Sequence, residues 1–350
     1  MARILLADDG ISFDGRMRAH RPLGGAETAL TDLAEAFAAL GHDVSVHNRC
    51  DAALTWNGVR WLPLTSAPDR GIGRQADLYI PNRSARLLTA CPEARRTLFW
   101  LHNPAGYLRK LRNQWPLFRR RPVLVFSGES HRNTYPRWCA DGGREIIPLG
   151  ISPEFLLARE RKTAPPPRAL FCSNPMRSLD WLLDVWAQAI APALPGAELH
   201  IFAGAAVYGS AGDAKARQMS AILDKAAALR DQGVLLRGPV SKNELAAEMA
   251  AARLLLYRGD KGETFCLAAA ESQAMGLPAV LEDIACMRER VIDGKTGFVV
   301  RGADAFAAAA VRLLTDDALW QRQHHEALTC QRHWTWQKAA EAFLTLAGLQ

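Results

Sequence analysis

No run in this sequence approaches the roughly 20 consecutive apolar residues that a bilayer-spanning helix needs, which argues against an integral helical membrane protein. Cysteine is sparse and scattered. Cys50, Cys91, Cys139, Cys172, Cys266, Cys286 and Cys330 form no C-x-x-C pair, which disfavours both a disulfide framework and a zinc site and leaves reduced core thiols as the expectation. No G-x-G-x-x-G follows the first apolar run, so a dinucleotide-dependent dehydrogenase is disfavoured. No His/Asp cluster has ligand spacing, and no required metal is expected. Acid is in deficit, with 36 Asp and Glu against 43 Lys and Arg, and the net charge of +7 favours an anionic partner: nucleotide, phospholipid surface or nucleic acid. Charge alone does not choose among them.

What is present is an ordinary globular composition, 49% hydrophobic and 23% charged, over 350 residues, a length that suggests two domains. The first eight residues run into acids instead of a cleavable signal, and a cytoplasmic protein is expected. Arg3 to Asp8 reads as a buried strand. Leu30, Leu33, Ala34, Phe37 and Leu40 follow the helical repeat up to Gly41, and His42 to His47 alternates as a strand. Further strands are expected at Leu78 to Pro81, Thr97 to Leu101 and Val123 to Ser127. A polar, Pro-rich stretch between Gly150 and Arg168 reads as a linker. The pattern then repeats: strand Ala169 to Cys172, helix Leu179 to Ile190, strand Glu198 to Phe202, helix Ala214 to Gln232 and strand Val234 to Arg237. Ser241 and Glu244 make a capping box for a helix through Ala252, and Leu254 to Tyr257 is an apolar strand. The expectation is an α/β protein with a Rossmann-like N-terminal domain over 1–152, joined by a closing helix at 336–350, and a second over 153–335.

The most informative segment follows that strand. Glu263 and Glu271 stand eight positions apart in Gly262-Glu263-Thr264-Phe265-Cys266-Leu267, then Ala268 to Ala270, then Glu271 to Pro278. Thr264 reads as an N-cap, Phe265 to Met275 as helix, and Gly276 and Pro278 as its stop. The first-turn amides of Phe265, Cys266 and Leu267 then carry the positive end of the helix and suit a diphosphate. Glu271 would lie roughly 9 Å along the axis from Phe265, so the two carboxylates can flank that diphosphate. A carboxylate accepts two hydroxyl hydrogens at once, which matches a ribose diol or adjacent sugar hydroxyls. A solvated loop acid and a surface helix acid would show the same spacing.

The segment resembles the E-x7-E signature of the GT-B glycosyltransferases of the retaining family 4 (group 1) type, and the resemblance extends over nearly the whole chain. It implies two Rossmann-like parallel-sheet domains facing a cleft, closing around the donor, with the last helix returning to the first domain. Leu23-Gly24-Gly25-Ala26-Glu27 resembles the family's G-G-x-E loop, and Gly41-His42-Asp43-Val44-Ser45-Val46 the strand that follows it. His102, at the expected end of a strand, matches a histidine that contacts the donor sugar; a buried structural histidine is the plainer alternative. Arg177 stands where the family has a Lys, while Cys172 and Ser173 occupy the region of its Arg, so half of the diphosphate clamp is unassigned. The pocket around His102 and Val240 would set the sugar and the base. Asp8-Asp9 is not the D-x-D that holds a metal in GT-A enzymes.

Two basic stretches lie outside that frame. Arg16, Arg18, His20 and Arg21 would recognise a charged acceptor or simply be solvated. Tyr107 to Arg121 interleaves six basic residues with Leu108, Leu111, Trp115, Leu117 and Phe118, fitting an anionic membrane, an acidic acceptor or a solvated face, with Pro116 interrupting a continuous amphipathic helix. The resemblance thus implies transfer of a hexose from a UDP- or GDP-linked sugar, without a cofactor, to a hydroxyl of a glycan or lipid-linked cell-envelope acceptor, as in polysaccharide or lipopolysaccharide biosynthesis, at the inner face of the plasma membrane if it binds there. Glu263 would orient the hexose and Glu271 the ribose. The rivals are a GT-B sugar-nucleotide epimerase or hydrolase, and a basic nucleic-acid-binding α/β protein.

Overall fold

The computed structural model describes residues 1–20, 22–65, 71–204 and 216–349. The chain divides into two units, Met1–Gly150 with the residues from Trp334 onward, and Ile151–His333. In the first, β1 (Arg3–Ala7), α1 (Gly25–Ala39) and β2 (Asp43–Asn48) make a parallel strand-helix-strand unit, with Ile4, Leu6, Val44 and Val46 buried. β3 (Leu54–Trp56) and β4 (Val59–Pro63) form a hairpin, and β5 (Leu78–Pro81), β6 (Arg96–Trp100), α2 (Leu111–Arg120), β7 (Val123–Phe126) and β8 (Arg144–Ile146) complete the unit. Sheet order is β3-β4-β2-β1-β5-β6-β7-β8, parallel throughout except for the β3–β4 pair. α1 begins five residues before the apolar repeat at Leu30, because Glu27, Thr28 and Ala29 are also buried and the repeat shows only its later turns.

The second unit runs β9 (Arg168–Phe171), α3 (Leu179–Val185), β10 (Glu198–Ile201), α4 (Ala216–Ala228), β11 (Val234–Leu236), α5 (Lys242–Ala251), β12 (Leu254–Tyr257), α6 (Leu267–Ala274), β13 (Ala279–Glu282), β14 (Gly297–Val300), α7 (Ala303–Thr315) and α8 (Asp317–Cys330). Its sheet, in the order β11-β10-β9-β12-β13-β14, is parallel. The helix expected over Leu179 to Ile190 changes to a π turn at Trp186–Ile190, and Ala214 and Lys215, expected to start α4, lie outside the described residues. The Ser241 capping box is formed in both directions. The last helix, α9 (Trp336–Ala347), belongs to the first unit, where Phe343 packs against Phe37 of α1 and Trp100 of β6. Gly150 lies so close beneath it that a Cβ there would stand 2.4 Å from the Trp336 amide nitrogen.

The first unit buries two histidines in the neutral form. His131 donates from Nε2 to the Asn103 carbonyl at 2.9 Å and accepts the Ser127 amide at Nδ1, while His47 pairs with Ser45 on the same strand face. Burial pulls both from the ordinary 6.5 to about 4. Between those values the unfolded chain binds protons that the folded one does not, so stability is full above pH 6.5 and falls as the pH drops toward 4. At about 1.4 kcal/mol per pH unit the loss is at most about 3 kcal/mol for each histidine. We expect the thermal midpoint to fall steadily from pH 6.5 to 4, and His131→Gln to flatten that slope; an unchanged slope would contradict it.

Candidate functional site

Strand order gives each unit a switch point, where the chain stops adding strands on one side and resumes on the other; open parallel sheets bind ligands beyond the strands' carboxyl ends at such points. In the second unit that point lies between β9 and β12. The loop after β9 carries Ser173 and Arg177, and the loop after β12 carries Asp260 and Glu263. They meet. Arg177 Nη1 lies 3.1 Å from Asp260 Oδ1 and 3.5 Å from Glu263 Oε1, and Tyr257, the last residue of β12, donates its hydroxyl to the same Glu263 oxygen. Ser173 Oγ lies 3.2 Å from that hydroxyl. Asp260 closes its own turn by accepting the Gly262 amide at 2.6 Å, and its carbonyl accepts the Glu263 amide at 3.0 Å.

Burial raises the Glu263 carboxyl above its ordinary 4.5, against the opposing pull of the Arg177 charge and the Tyr257 hydroxyl. Burial opposes the charge on Arg177, but Glu263, Tyr257 and Asp260 together outweigh it and hold the guanidinium above its ordinary value. A carboxylate with one oxygen held by Tyr257 and an arginine keeping two acidic neighbours form a preorganised polar wall, suited to sugar hydroxyls and phosphate oxygens.

The helix that follows begins two residues later than the sequence suggests. Thr264 is not its cap: α6 starts at Leu267, and Cys266 is the N-cap, in the left-handed conformation (φ 65°) and without a side-chain cap bond. The reason is Phe265, which is buried with the Arg290 guanidinium 4.0 Å from its ring centroid, so the chain turns inward before the helix can open. The first intrahelical bond runs from the Ala270 amide to the Cys266 carbonyl. The first-turn amides, which have no intrahelical carbonyl to bond, are therefore those of Leu267, Ala268 and Ala269 instead of Phe265, Cys266 and Leu267. Glu271 then stands roughly 6 Å along the axis from the first helical residue, not 9 Å. The stop is as expected, with Gly276 left-handed at φ 71°.

Glu271 is 2% exposed, and Lys242, the first residue of α5, reaches both of its oxygens at 2.5 and 2.8 Å. Lys242 also lies 5.1 Å from the Phe155 ring centroid. Cys172 ties this pair to the rest of the site: burial first, then the Glu271 charge, pushes its thiol up to about 12. Cys266, also raised by burial, feels Glu263 and Cys172. Val240 is half-buried in the loop that leads into the Ser241 cap. Sequence reasoning missed Tyr257, Asp260, Lys242 and Arg290. The signals were faint: Asp260 two residues before a glycine, an aromatic at a strand end, and a lysine inside a capping box. Among the described residues no group of three or more His, Cys, Asp or Glu is placed to hold a metal ion.

The first unit has its own junction, between β1 and β5. Arg83, left-handed at φ 61°, donates from Nη2 and Nε to Asp8 at 2.7 and 2.9 Å and from Nη1 to Glu27 at 2.9 Å. Burial opposes its charge, and Asp8 and Glu27 more than offset that. Gly24 is the N-cap of α1, and a Cβ there would displace Glu27 Oε2, 2.3 Å away, from the position in which Glu27 meets Arg83; Gly25 opens the helix and is exposed. His102 follows β6, its ring centroid 4.4 Å from that of Trp100. Burial first, then the Arg83 charge, holds it well below 6.5, so it stays neutral, with one ring nitrogen a donor and the other an acceptor. Of the expected acceptor residues, Arg16 is exposed and paired with Asp14 at 2.8 Å, Arg18 is paired with Asp32 of α1, and His20 is exposed. Arg21 lies outside the described residues.

The architecture is that of the GT-B glycosyltransferases, two parallel-sheet α/β domains. Sucrose-phosphate synthase from Thermosynechococcus elongatus superposes with a TM-score of 0.74 at 17% identity, covering 98% of this chain and 97% of that one. Anabaena HepE, solved with UDP and glucose, gives 0.72 at 14% identity over the full length of both. At these identities the likeness speaks to the fold. Residues 166–316 match the family model described as Glycosyl transferases group 1, a span that contains Arg177, Lys242, Glu263 and Glu271. D-inositol 3-phosphate glycosyltransferases match over part of the chain: that of Xylanimonas cellulosilytica is 36% identical over 118 residues, and that of Streptomyces avermitilis 37% over 111. These matches cover 33% and 31% of this chain but only 28% and 24% of the two relatives.

Proposed function

We propose that this chain is a retaining, metal-independent family 4 hexosyltransferase that takes its sugar from a UDP- or GDP-linked donor. The observation that carries the reading is the convergence of Arg177, Asp260, Glu263 and Tyr257 at the β9–β12 junction, directly before the amides that open α6. In this reading the second unit holds the donor. The Leu267 to Ala269 amides and Arg177 meet the diphosphate, Glu263 orients the hexose, Glu271 receives the ribose diol, Val240 borders the base, and Thr264, Phe265 and Cys266 shape the wall. The first unit offers neutral His102 as a group for the sugar and the Gly24–Gly25 turn as one for phosphate.

Transfer breaks the bond between the anomeric carbon and the phosphate oxygen, and the departing phosphate takes the proton of the acceptor hydroxyl as the new bond forms on the same face. Charge on the leaving phosphate is the main barrier, and each preorganised donor aimed at it is worth about 3 kcal/mol. The acceptor is a hydroxyl of a glycan or a lipid-linked cell-envelope intermediate. The relatives are named for an inositol phosphate, and exposed Arg16 and His20 suit an acceptor carrying negative charge.

The test is a screen of nucleoside diphosphate sugars for thermal stabilisation, followed by transfer of labelled sugar. A true donor at one hundred times its Kd stabilises by about 2.7 kcal/mol. We expect one sugar nucleotide to raise the melting temperature, and the labelled product to keep the donor's anomeric configuration with EDTA present. Label appearing only in free sugar or an epimer would replace this reading with a hydrolase or epimerase.

A further inference from the structure

We propose that α2 and the loop around Trp138 form a docking face for an anionic lipid bilayer, a surface separate from the donor chemistry. Pro116 does not interrupt this helix, which runs from Leu111 to Arg120. One side is tied to the first unit. Leu117 is buried with Leu108, Tyr135 and Cys139, Asn113 donates to the Tyr107 carbonyl at 2.9 Å, Gln114 donates to the Leu108 carbonyl at 2.6 Å, and Arg120 donates to the carbonyls of Pro92 and Cys91.

The opposite side carries Leu111, Trp115 and Phe118, spaced i, i+4 and i+7 and therefore one stripe, exposed at 87%, 67% and 64%. Trp138, 69% exposed, stands in the adjoining loop, where the Ala140 amide donates to Gln114 Oε1. These four are half of the eight large hydrophobic side chains exposed among the described residues. An apolar concentration of that kind on an otherwise polar surface marks an interaction site.

Charge selects the occupant. From His102 to Gly128 the chain has no Asp or Glu and six basic residues, Arg109, Lys110, Arg112, Arg119, Arg120 and Arg121, nearly the whole net charge of +7. Five of the six, all but Arg120, are exposed. Arg112 and Arg119 sit about 100° and 80° around the axis from Leu111, in the same direction, and so edge the stripe along one side. Tryptophan and phenylalanine edged by arginine suit the headgroup boundary of an anionic membrane, where aromatic rings insert and guanidinium groups meet phosphates. No helix among the described residues is long and apolar enough to cross a membrane, so contact of this kind would be peripheral.

The experiment is co-sedimentation of the full chain with vesicles of phosphatidylcholine alone and with about 30% phosphatidylglycerol, whose negative surface potential attracts basic segments. We expect binding to the anionic vesicles only, weakening as salt rises. Trp115→Ser with Phe118→Ser should lower it at least ~10-fold, and Arg112→Glu with Arg119→Glu by a similar factor at low salt. The melting temperature should hold in both, since these side chains are exposed. Equal binding to both vesicle types, no binding at all, or retention by both double variants would overturn the proposal. So would a dimer that the Trp115/Phe118 variant dissociates without any change in sedimentation with lipid, which would make the face a self-association surface.

Discussion

Glu263→Gln is expected to slow sugar transfer by about 100-fold or more while the melting temperature holds or rises. The two halves of that outcome have one cause. Glu263 is a buried carboxyl raised above its ordinary 4.5, which means that the fold tolerates its charge and does not profit from it. Removing the charge relieves desolvation. Arg177 is not orphaned by the change, because Asp260 lies nearer to it, at 3.1 Å, than Glu263 does at 3.5 Å. The amide can still accept the Tyr257 hydroxyl, so the turn from Asp260 to Glu263 should survive. What is lost is an ionised acceptor able to hold two sugar hydroxyls, each such charged bond being worth about 1.5–3 kcal/mol. The same raised pKa predicts that the wild-type rate falls off on the acid side at a pH above 4.5, because Glu263 works ionised and takes up a proton earlier than a free glutamate. Steady-state rates and melting curves on the two proteins decide it. Turnover within threefold of wild type would remove Glu263 from its assigned role, and a large drop in melting temperature would make it a structural residue.

The alternation of buried strands with helical repeats made both sheets legible, because parallel strands covered on both faces appear as short apolar runs whatever their partners. Leu78 to Pro81 and Leu254 to Tyr257 fall where the sequence puts them. The β3–β4 hairpin did not stand out, although Asn57-Gly58 is a strong turn signal and both residues are left-handed. Its strands are three and five residues long and only partly buried, too little for alternation to register. α7 and α8 were also missed. Their alanines and paired histidines carry weak apolar contrast, and only packing distinguishes their faces.

At the candidate site, the sequence singled out the two acids and the helix that carries Glu271, because spacing is a local property. It could not identify what neutralises them. Tyr257 is six residues from Glu263, and Lys242 is 29 from Glu271 and on another helix, so these pairs exist only once the sheet is assembled. The misplaced helix start has the same origin. Thr264 has the chemistry of a cap, but burial of Phe265 against Arg290, a contact made from a distant loop, decides where the helix opens. The expected break at Pro116 erred the other way: proline removes a single intrahelical bond, and burial of Leu117 together with the Asn113 and Gln114 side-chain bonds holds the helix through it.

Glu271→Ala is expected to do two things at once, and a second variant separates them. Glu271 is almost wholly buried and saturated by Lys242, whose own side chain is only 20% exposed. Deleting the carboxylate strands the ammonium. Breaking a buried pair by removing one partner costs about 3–5 kcal/mol, and the partial exposure of Lys242 puts this case near 2–3 kcal/mol, or roughly 5–10 °C in melting temperature for a unit of this size. Nucleotide affinity should fall about 10- to 100-fold as well, because the ribose diol loses its charged acceptor. In the double variant Glu271→Gln with Lys242→Met neither charge remains, and stability should return to near the wild-type value, since replacing both members of a buried pair is often neutral. If Glu271 receives the ribose, affinity will not return with it: a neutral amide cannot offer the diol the charged oxygens of a carboxylate. Calorimetric titration with UDP and GDP beside melting curves distinguishes the cases. Recovery of both stability and nucleotide affinity in the double variant would leave Glu271 and Lys242 as a structural ion pair, with the ribose held elsewhere.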